Sequence, residues 1–159
     1  MSNSLSTTLA RPEQRLDVYA KDPSWQRLWL SLESASWRSL AVVPTGDTSS
    51  IDLVHGLAAV AWHQRSSPVV VADLRTIGLT ALANARGELR RRIDSGTRIL
   101  IAMQSLDKSA IAATLAREAD KVLLCVHLEH TYVAQVKNAI RELGAPRFLG
   151  SIIIRTGTD

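Results

Sequence analysis

Apolar residues in this chain fall into short continuous runs separated by longer stretches with helical spacing. The short runs are typical of strands buried on both faces of a parallel sheet, and they cover about 39–43, 68–73, 98–103, 121–127 and 148–154. The stretches between them favour helices, at about 51–65, 78–94, 107–118 and 130–143. This strict alternation predicts a three-layer α/β domain of the P-loop NTPase-like class with a mostly parallel sheet.

The N-terminal part of the chain divides at Pro23. Residues 1–22 have no periodic apolar face and are predicted to be a flexible tail, and residues 23–159 are predicted to form a single domain. From Pro23 to Ser34 the pattern predicts a helix with one apolar stripe, formed by Trp25, Leu28, Trp29 and Leu32. The tail lacks the apolar stretch of a secretory signal. We therefore expect a cytoplasmic protein.

The loop at residues 44–50 follows the first strand of this domain, where P-loop NTPases bind phosphate. Such a loop uses glycine N–H groups, a lysine for the terminal phosphates and a Ser/Thr hydroxyl for Mg²⁺. Here Gly46 and several hydroxyls remain, but the loop has no lysine. A strand–loop–helix order that lacks the phosphate-binding lysine predicts a pseudo-enzyme with no cofactor. A plain structural interpretation is a capped helix start, with Ser49 or Ser50 as N-cap and Asp52 in the first turn.

The ends of the later strands offer few groups for catalysis. Asp73 could hold a metal-bound water or act as a base, or it could pair with Arg75 or cap a turn. Ala102 stands where an NTPase would place an acid for Mg²⁺. The sequence around the fourth strand raises a metal hypothesis, but its spacing fits no standard zinc pattern and favours packing or surface histidines; the residues concerned are Cys125, His127 and His130.

The mildly basic net charge raises the possibility that the domain binds DNA or an acidic partner. The formal net charge is +4, and one predicted helix carries a cluster formed by Arg86, Arg90, Arg91 and Arg92. A solvated helix face is the simpler interpretation, and a site for DNA or an acidic partner is the alternative. No aromatic residues interleave with these arginines, so nucleic acid is the less favoured partner.

Several motifs from residue 23 onward resemble those of the bacterial tyrosine kinases of exopolysaccharide biosynthesis, which belong with the partition ATPases. Arg27 matches an arginine of the family's first-helix signature, whose glutamate is replaced by Ser24. The segment Ala72-Asp73-Leu74-Arg75 is similar to the end of the family's second strand, and Ala102 replaces the third-strand acid. In the phosphate loop, Gly46 keeps the first glycine, Asp47 stands for the acid, Thr48 replaces the second glycine, Ser49 replaces the lysine and Ser50 keeps the Mg²⁺ hydroxyl.

The resemblance implies a degenerate member of this family, a pseudo-kinase or pseudo-ATPase that acts as a protein-interaction module. It implies a membrane-embedded polysaccharide chain-length regulator as partner, a location at the inner face of the membrane, and a homo-oligomer assembled through the N-terminal helix. Trp25, Arg27 and Trp29 are then the interface residues, because Trp and Arg are enriched at binding hot spots. Docking of both tryptophans on the chain's own sheet is the competing interpretation.

An enzyme that still binds nucleotide is the alternative function. Arg38 or Arg75 would then replace the missing lysine, and Asp73 would hold Mg²⁺ through water.

Overall fold

A computed structural model describes residues 7–9, 17–46, 49–64, 69–128 and 133–155 of the chain. The helices in these ranges are α1 Asp17–Lys21, α2 Pro23–Glu33, α3 Ile51–His63, α4 Leu82–Asp94, α5 Ala110–Glu118 and α6 Val133–Leu143. The strands are β1 Thr7–Leu9, β2 Ser39–Pro44, β3 Val69–Asp73, β4 Arg98–Ala102, β5 Lys121–His127 and β6 Phe148–Ile154. Short 3₁₀ turns precede α4 and β6, at Leu79–Ala81 and Ala145–Arg147.

The described strands form one sheet in the order β1-β3-β4-β2-β5-β6. The pairs from β3 to β6 are all parallel, and β1 joins β3 antiparallel. The prediction of an α/β fold with a mostly parallel sheet is therefore confirmed. Within the described ranges, no helix is both long enough and apolar enough to cross a lipid bilayer.

The prediction that residues 1–22 form a flexible tail is wrong for two segments. Residues 7–9 pair with β3 as a strand, and residues 17–21 form α1, where Ala20 is buried. Three-residue strands and five-residue helices are too short to show a periodic apolar face, and β1 is held by main-chain pairing, which leaves no pattern in the sequence.

Helices pack on both faces of the sheet, as right-handed crossovers require. From β2 the chain passes through α3 to β3, toward one edge of the sheet. The connections through α4, α5 and α6 then move toward the other edge, to β4, β5 and β6. One apolar cluster accordingly joins α4 and α5 to alternate residues of β2 and β4, while the other joins α2 and α3 to the remaining alternate residues. Strand β2 is fully buried between them, with no exposed surface on Leu40, Ala41, Val42 or Val43.

Gly56 of α3 and Gly87 of α4 are mid-helix glycines whose replacement by alanine should have opposite effects. No described atom lies within 4 Å of the position that a Cβ would take at Gly87, so Gly87→Ala should raise the free energy of unfolding by about 0.5–1 kcal/mol through helix propensity. A Cβ at Gly56 would lie 2.6 Å from Cζ3 of Trp25, so Gly56→Ala should displace the indole and lower that free energy by about 1–3 kcal/mol. Urea denaturation measures both changes, and a stabilised Gly56→Ala variant would contradict the packing of Trp25 on α3.

Candidate functional site

The loops after β2 and β4 diverge toward opposite faces of the sheet. The first enters α3 and the second enters α5, which pack in different apolar clusters. In parallel α/β sheets, such a divergence at the carboxyl ends of neighbouring strands opens a crevice where ligands bind. Here the crevice is a cleft of about 310 Å³. Its lining includes Gly46, Ser49, Ser50, Arg75 and Lys108.

Two hydroxyls of the loop at residues 44–50 bond to main-chain carbonyls in or next to neighbouring strands. Ser50 is fully buried, and its Oγ donates a hydrogen bond of 2.6 Å to the carbonyl of Met103. Thr45 Oγ1 donates to the carbonyl of Cys125 at 3.1 Å. These bonds tie the loop to the ends of the two neighbouring strands. Asp47 and Thr48 lie outside the residues that the structure describes.

The start of α3 agrees with the predicted cap position but lacks the side-chain cap. Ser50 occupies the N-cap position and makes no capping hydrogen bond, and its Oγ donates to the carbonyl of Met103. Asp52 lies in the first turn as predicted, where its carboxylate interacts favourably with the helix dipole. Gly46 has a φ of 66°, a backbone conformation that glycine adopts with little strain.

Asp73, at the end of β3, is held by Arg75. The Arg75 guanidinium donates to both carboxylate oxygens, at 2.9 Å from Nε to Oδ1 and 2.8 Å from Nη2 to Oδ2. These hydrogen bonds keep the pKa of Asp73 below its ordinary value. The third arm of the guanidinium, Nη1, reaches Ser49 Oγ at 3.4 Å. Of the roles considered for Asp73, the structure shows the ion pair.

The position of the missing metal acid is apolar. Ala102 has no exposed surface and pairs with Val42 of β2 and Asp73 of β3. An alanine methyl group supplies no oxygen for a hard cation. Among the described residues, no three His, Cys, Asp or Glu side chains come together as a metal site.

Two of the three residues in the metal hypothesis at β5 are buried in the structure. Cys125 is buried in the sheet, and burial raises the pKa of its thiol to about 11, which makes the thiol unreactive at neutral pH. His127 is also buried, at the carboxyl end of the strand. His130 lies outside the described residues.

Lys108 is a cleft residue that sequence reasoning missed. It lies in the loop after β4, far from the phosphate loop in sequence, yet it lines the same cleft. Only the strand order, with β4 beside β2, brings the two loops together. By contrast, the prediction that Arg38 could substitute for the phosphate-loop lysine is wrong. Arg38 precedes β2, at the opposite end of the sheet, and its main-chain N–H donates to the Asp120 carboxylate there.

The three residues predicted for a partner interface lie in different environments on α2. Trp29 is completely buried and packs edge-to-face on Trp37, with ring centroids 6.2 Å apart. It is therefore a core residue, and its predicted role in partner contact is wrong. Trp25 is half-buried beside Gly56 of α3, and Arg27 is exposed.

The arginine cluster on α4 is largely engaged in ion pairs. Arg86 and Arg90 both contact Glu118 of α5, and Arg92 contacts Glu88 within the helix. Burial raises the pKa of Glu118, but hydrogen bonds from Arg86 and Arg90 outweigh it and leave the pKa below its ordinary value. The contacts with Glu118 join α4 to α5. All three ion pairs reduce the positive charge that a polyanion would meet.

The Asp73–Arg75 pair gives a pH-dependent prediction. Asp73→Asn should lower the free energy of unfolding by about 1 kcal/mol at neutral pH, since the pair is partly exposed to solvent. Because the folded-state pKa of Asp73 lies below the ordinary 3.8, this stabilisation is present above about pH 4 and is lost as pH falls through the folded-state pKa. Denaturation of both proteins between pH 7 and 2.5 should therefore show the stability difference closing at acid pH. Asp94→Asn, on the exposed face of α4, serves as the control, and a pH-independent difference would contradict the prediction.

No family model, curated protein or solved structure matches this chain. Its fold class follows from the strand order, the parallel register and the helices on both faces.

Proposed function

We propose that this domain is a P-loop-like module without phosphoryl-transfer activity, a pseudo-ATPase or pseudo-kinase that works by binding protein. The main support is the burial of Ser50, whose Oγ donates a hydrogen bond to the carbonyl of Met103. Ser50 is the residue expected to supply a hydroxyl to Mg²⁺, and it has no exposed surface. A Mg²⁺ ion could therefore reach its oxygen only if the loop moved.

Two further features support the absence of catalysis. Phosphoryl transfer depends on positioned cations and metal to offset the charge of the transferred group. Ala102 offers no metal ligand, and Asp73 is bound to Arg75 through both oxygens. Restoring one missing group would leave the others absent, so the lost activity would not return stepwise.

The exposed face of α2 is the proposed partner surface. Arg27 and Leu30 are three residues apart, so they lie on one side of the helix, and both are exposed. Leu30 has 53% of its surface exposed, and an arginine beside an exposed leucine is a combination suited to a protein interface. The motif resemblance supports self-association through this helix and a membrane-embedded polysaccharide chain-length regulator as the partner.

Nucleotide binding without turnover is a second candidate function. Arg75 and Lys108 line the same cleft as Gly46 and Ser49, so basic side chains from two neighbouring loops reach the cleft whose own loop lacks a lysine, although Arg75 is also paired with Asp73. The helix dipole of α3 would add to their attraction for a phosphate. Such binding would not need Mg²⁺, because the metal ligands are absent from this cleft.

Ser49→Lys should not produce ATP hydrolysis. The new ammonium group would offset phosphate charge, but Ala102 would still supply no metal ligand and Ser50 would remain buried. Loss of such electrostatic groups costs orders of magnitude in rate. Phosphate release in the presence of ATP and Mg²⁺ measures the activity of wild-type protein and variant. Turnover by the single variant above the level of a protein-free blank would contradict the prediction.

Melting the same proteins with ADP distinguishes the second candidate function. ADP at one hundred times its Kd would stabilise a binding protein by about 2.7 kcal/mol, and Lys108→Ala should remove most of that effect. The rise in Tm should persist without Mg²⁺. No rise at any ADP concentration would exclude nucleotide binding and leave the protein-binding proposal unaffected.

Arg27→Glu should weaken self-association, because it reverses the charge at the centre of the proposed partner surface. Sedimentation velocity at increasing protein concentration should show assemblies of the wild-type chain that dissociate in the variant. Arg91→Glu, at an exposed arginine of α4, makes the same charge change elsewhere and should leave assembly intact. Equal behaviour of the two variants would show that α2 is not the interface.

A further inference from the structure

A second and larger cavity lies on the face of the sheet covered by α2 and α3. It has a volume of about 1030 Å³ and opens between these helices and the carboxyl ends of β5 and β6. Ile152 and Ile154 of β6 line it on the sheet side, and Leu28 of α2 lines it on the helix side. Ligand pockets in proteins have volumes of about 300–1,000 Å³ and mainly apolar walls, so this cavity has the size and character of a small-molecule site.

One wall of the cavity is aromatic and fixed in place. Trp25 packs so closely on α3 that only a glycine fits beneath it, since a Cβ at Gly56 would lie 2.6 Å from the indole ring. Tyr19 of α1 meets the same indole edge-on, with ring centroids 4.9 Å apart and planes at 69°. The indole of Trp25 lines the cavity between these neighbours, and an aromatic ligand packs favourably against such a ring.

Polar side chains reach the cavity from three separate elements. His127 ends β5, Asp52 lies in the first turn of α3, and Arg155 follows β6. Asp52 and Arg155 carry opposite charges, so their formal charges cancel. In the small cleft the charged lining residues are both basic, Lys108 and the Arg75 that is paired with Asp73. The large cavity therefore favours a ligand without net charge that carries hydrogen-bonding groups.

From these features we infer that the large cavity binds an uncharged, flat aromatic molecule of about two or three fused rings, with a hydrogen-bonding group at one edge. The rings lie against Trp25 and Leu28. The polar edge faces the group formed by Asp52, His127 and Arg155. Ser49 lines both the cavity and the small cleft, so a ligand here lies next to the degenerate phosphate loop without using the basic residues of the small cleft.

Titration with 1-aminoanthracene, an uncharged three-ring amine whose fluorescence rises when it leaves water, tests this inference. The wild-type protein should bind the probe saturably, with one probe per chain. Leu28→Trp should occupy the part of the cavity beside Trp25 where the rings are proposed to lie, and weaken the Kd by about tenfold or more. Leu79→Trp makes the same substitution at an exposed leucine in the 3₁₀ turn before α4, outside the lining of this cavity, and it should leave the Kd unchanged. Equal affinities of the two variants would overturn the inference.

A measurement on the unaltered protein covers the case in which Leu28→Trp does not fold. In ¹⁵N–¹H correlation spectra, the probe should shift the amide signals of Trp25, His127 and Ile152 and leave that of Gly87 in place. Shifts spread over the whole chain, or an absence of saturable binding, would overturn the inference. Displacement of the probe by equimolar ADP would also overturn it, because the cavity would then take a charged nucleotide, whereas failure of ADP to bind the small cleft would leave it standing.

Discussion

Burial of β2 on both faces is the constraint on which the rest of this structure depends. Its residues Leu40 to Val43 have no exposed surface, so both sides of the strand must be covered by helices. Right-handed crossovers then send α3 to one face and α4, α5 and α6 to the other. This arrangement places the loops after β2 and β4 next to each other, and it creates the cleft at the carboxyl end of the sheet.

The groups at that cleft mainly bind one another. Ser50 donates to Met103, Thr45 donates to Cys125, and Arg75 spans Asp73 and Ser49. Buried polar groups must find partners within the protein or lose free energy. In a phosphate-binding loop a ligand supplies some of those partners, whereas here neighbouring strands supply them. The loop thus joins β2 to its neighbours, and this is the physical basis for the proposed loss of catalysis.

Continuous apolar runs and helical periodicity were sufficient to locate the described strands and α-helices from Pro23 onward, because each is long enough to show its pattern. The same signal failed for β1 and α1, which are too short to show a period. It also failed to distinguish the surfaces of α2. Trp29 and Trp25 belong to one apolar stripe, yet Trp29 is fully buried while Trp25 forms the wall of a cavity. Their depth depends on Trp37 and Gly56, which lie on other elements.

The sequence by itself determined the fold class and the chemistry missing from the phosphate loop, because residue identity and spacing suffice for both. It identified Gly46, Ser49, Ser50, Asp73 and Ala102 as positions to inspect. Only the tertiary structure decided that Asp73 is bound to Arg75, that Lys108 lines the cleft, and that a large cavity lies beneath α2. These facts depend on strand order and helix packing, which bring together residues from distant parts of the chain, and local sequence patterns do not specify such contacts.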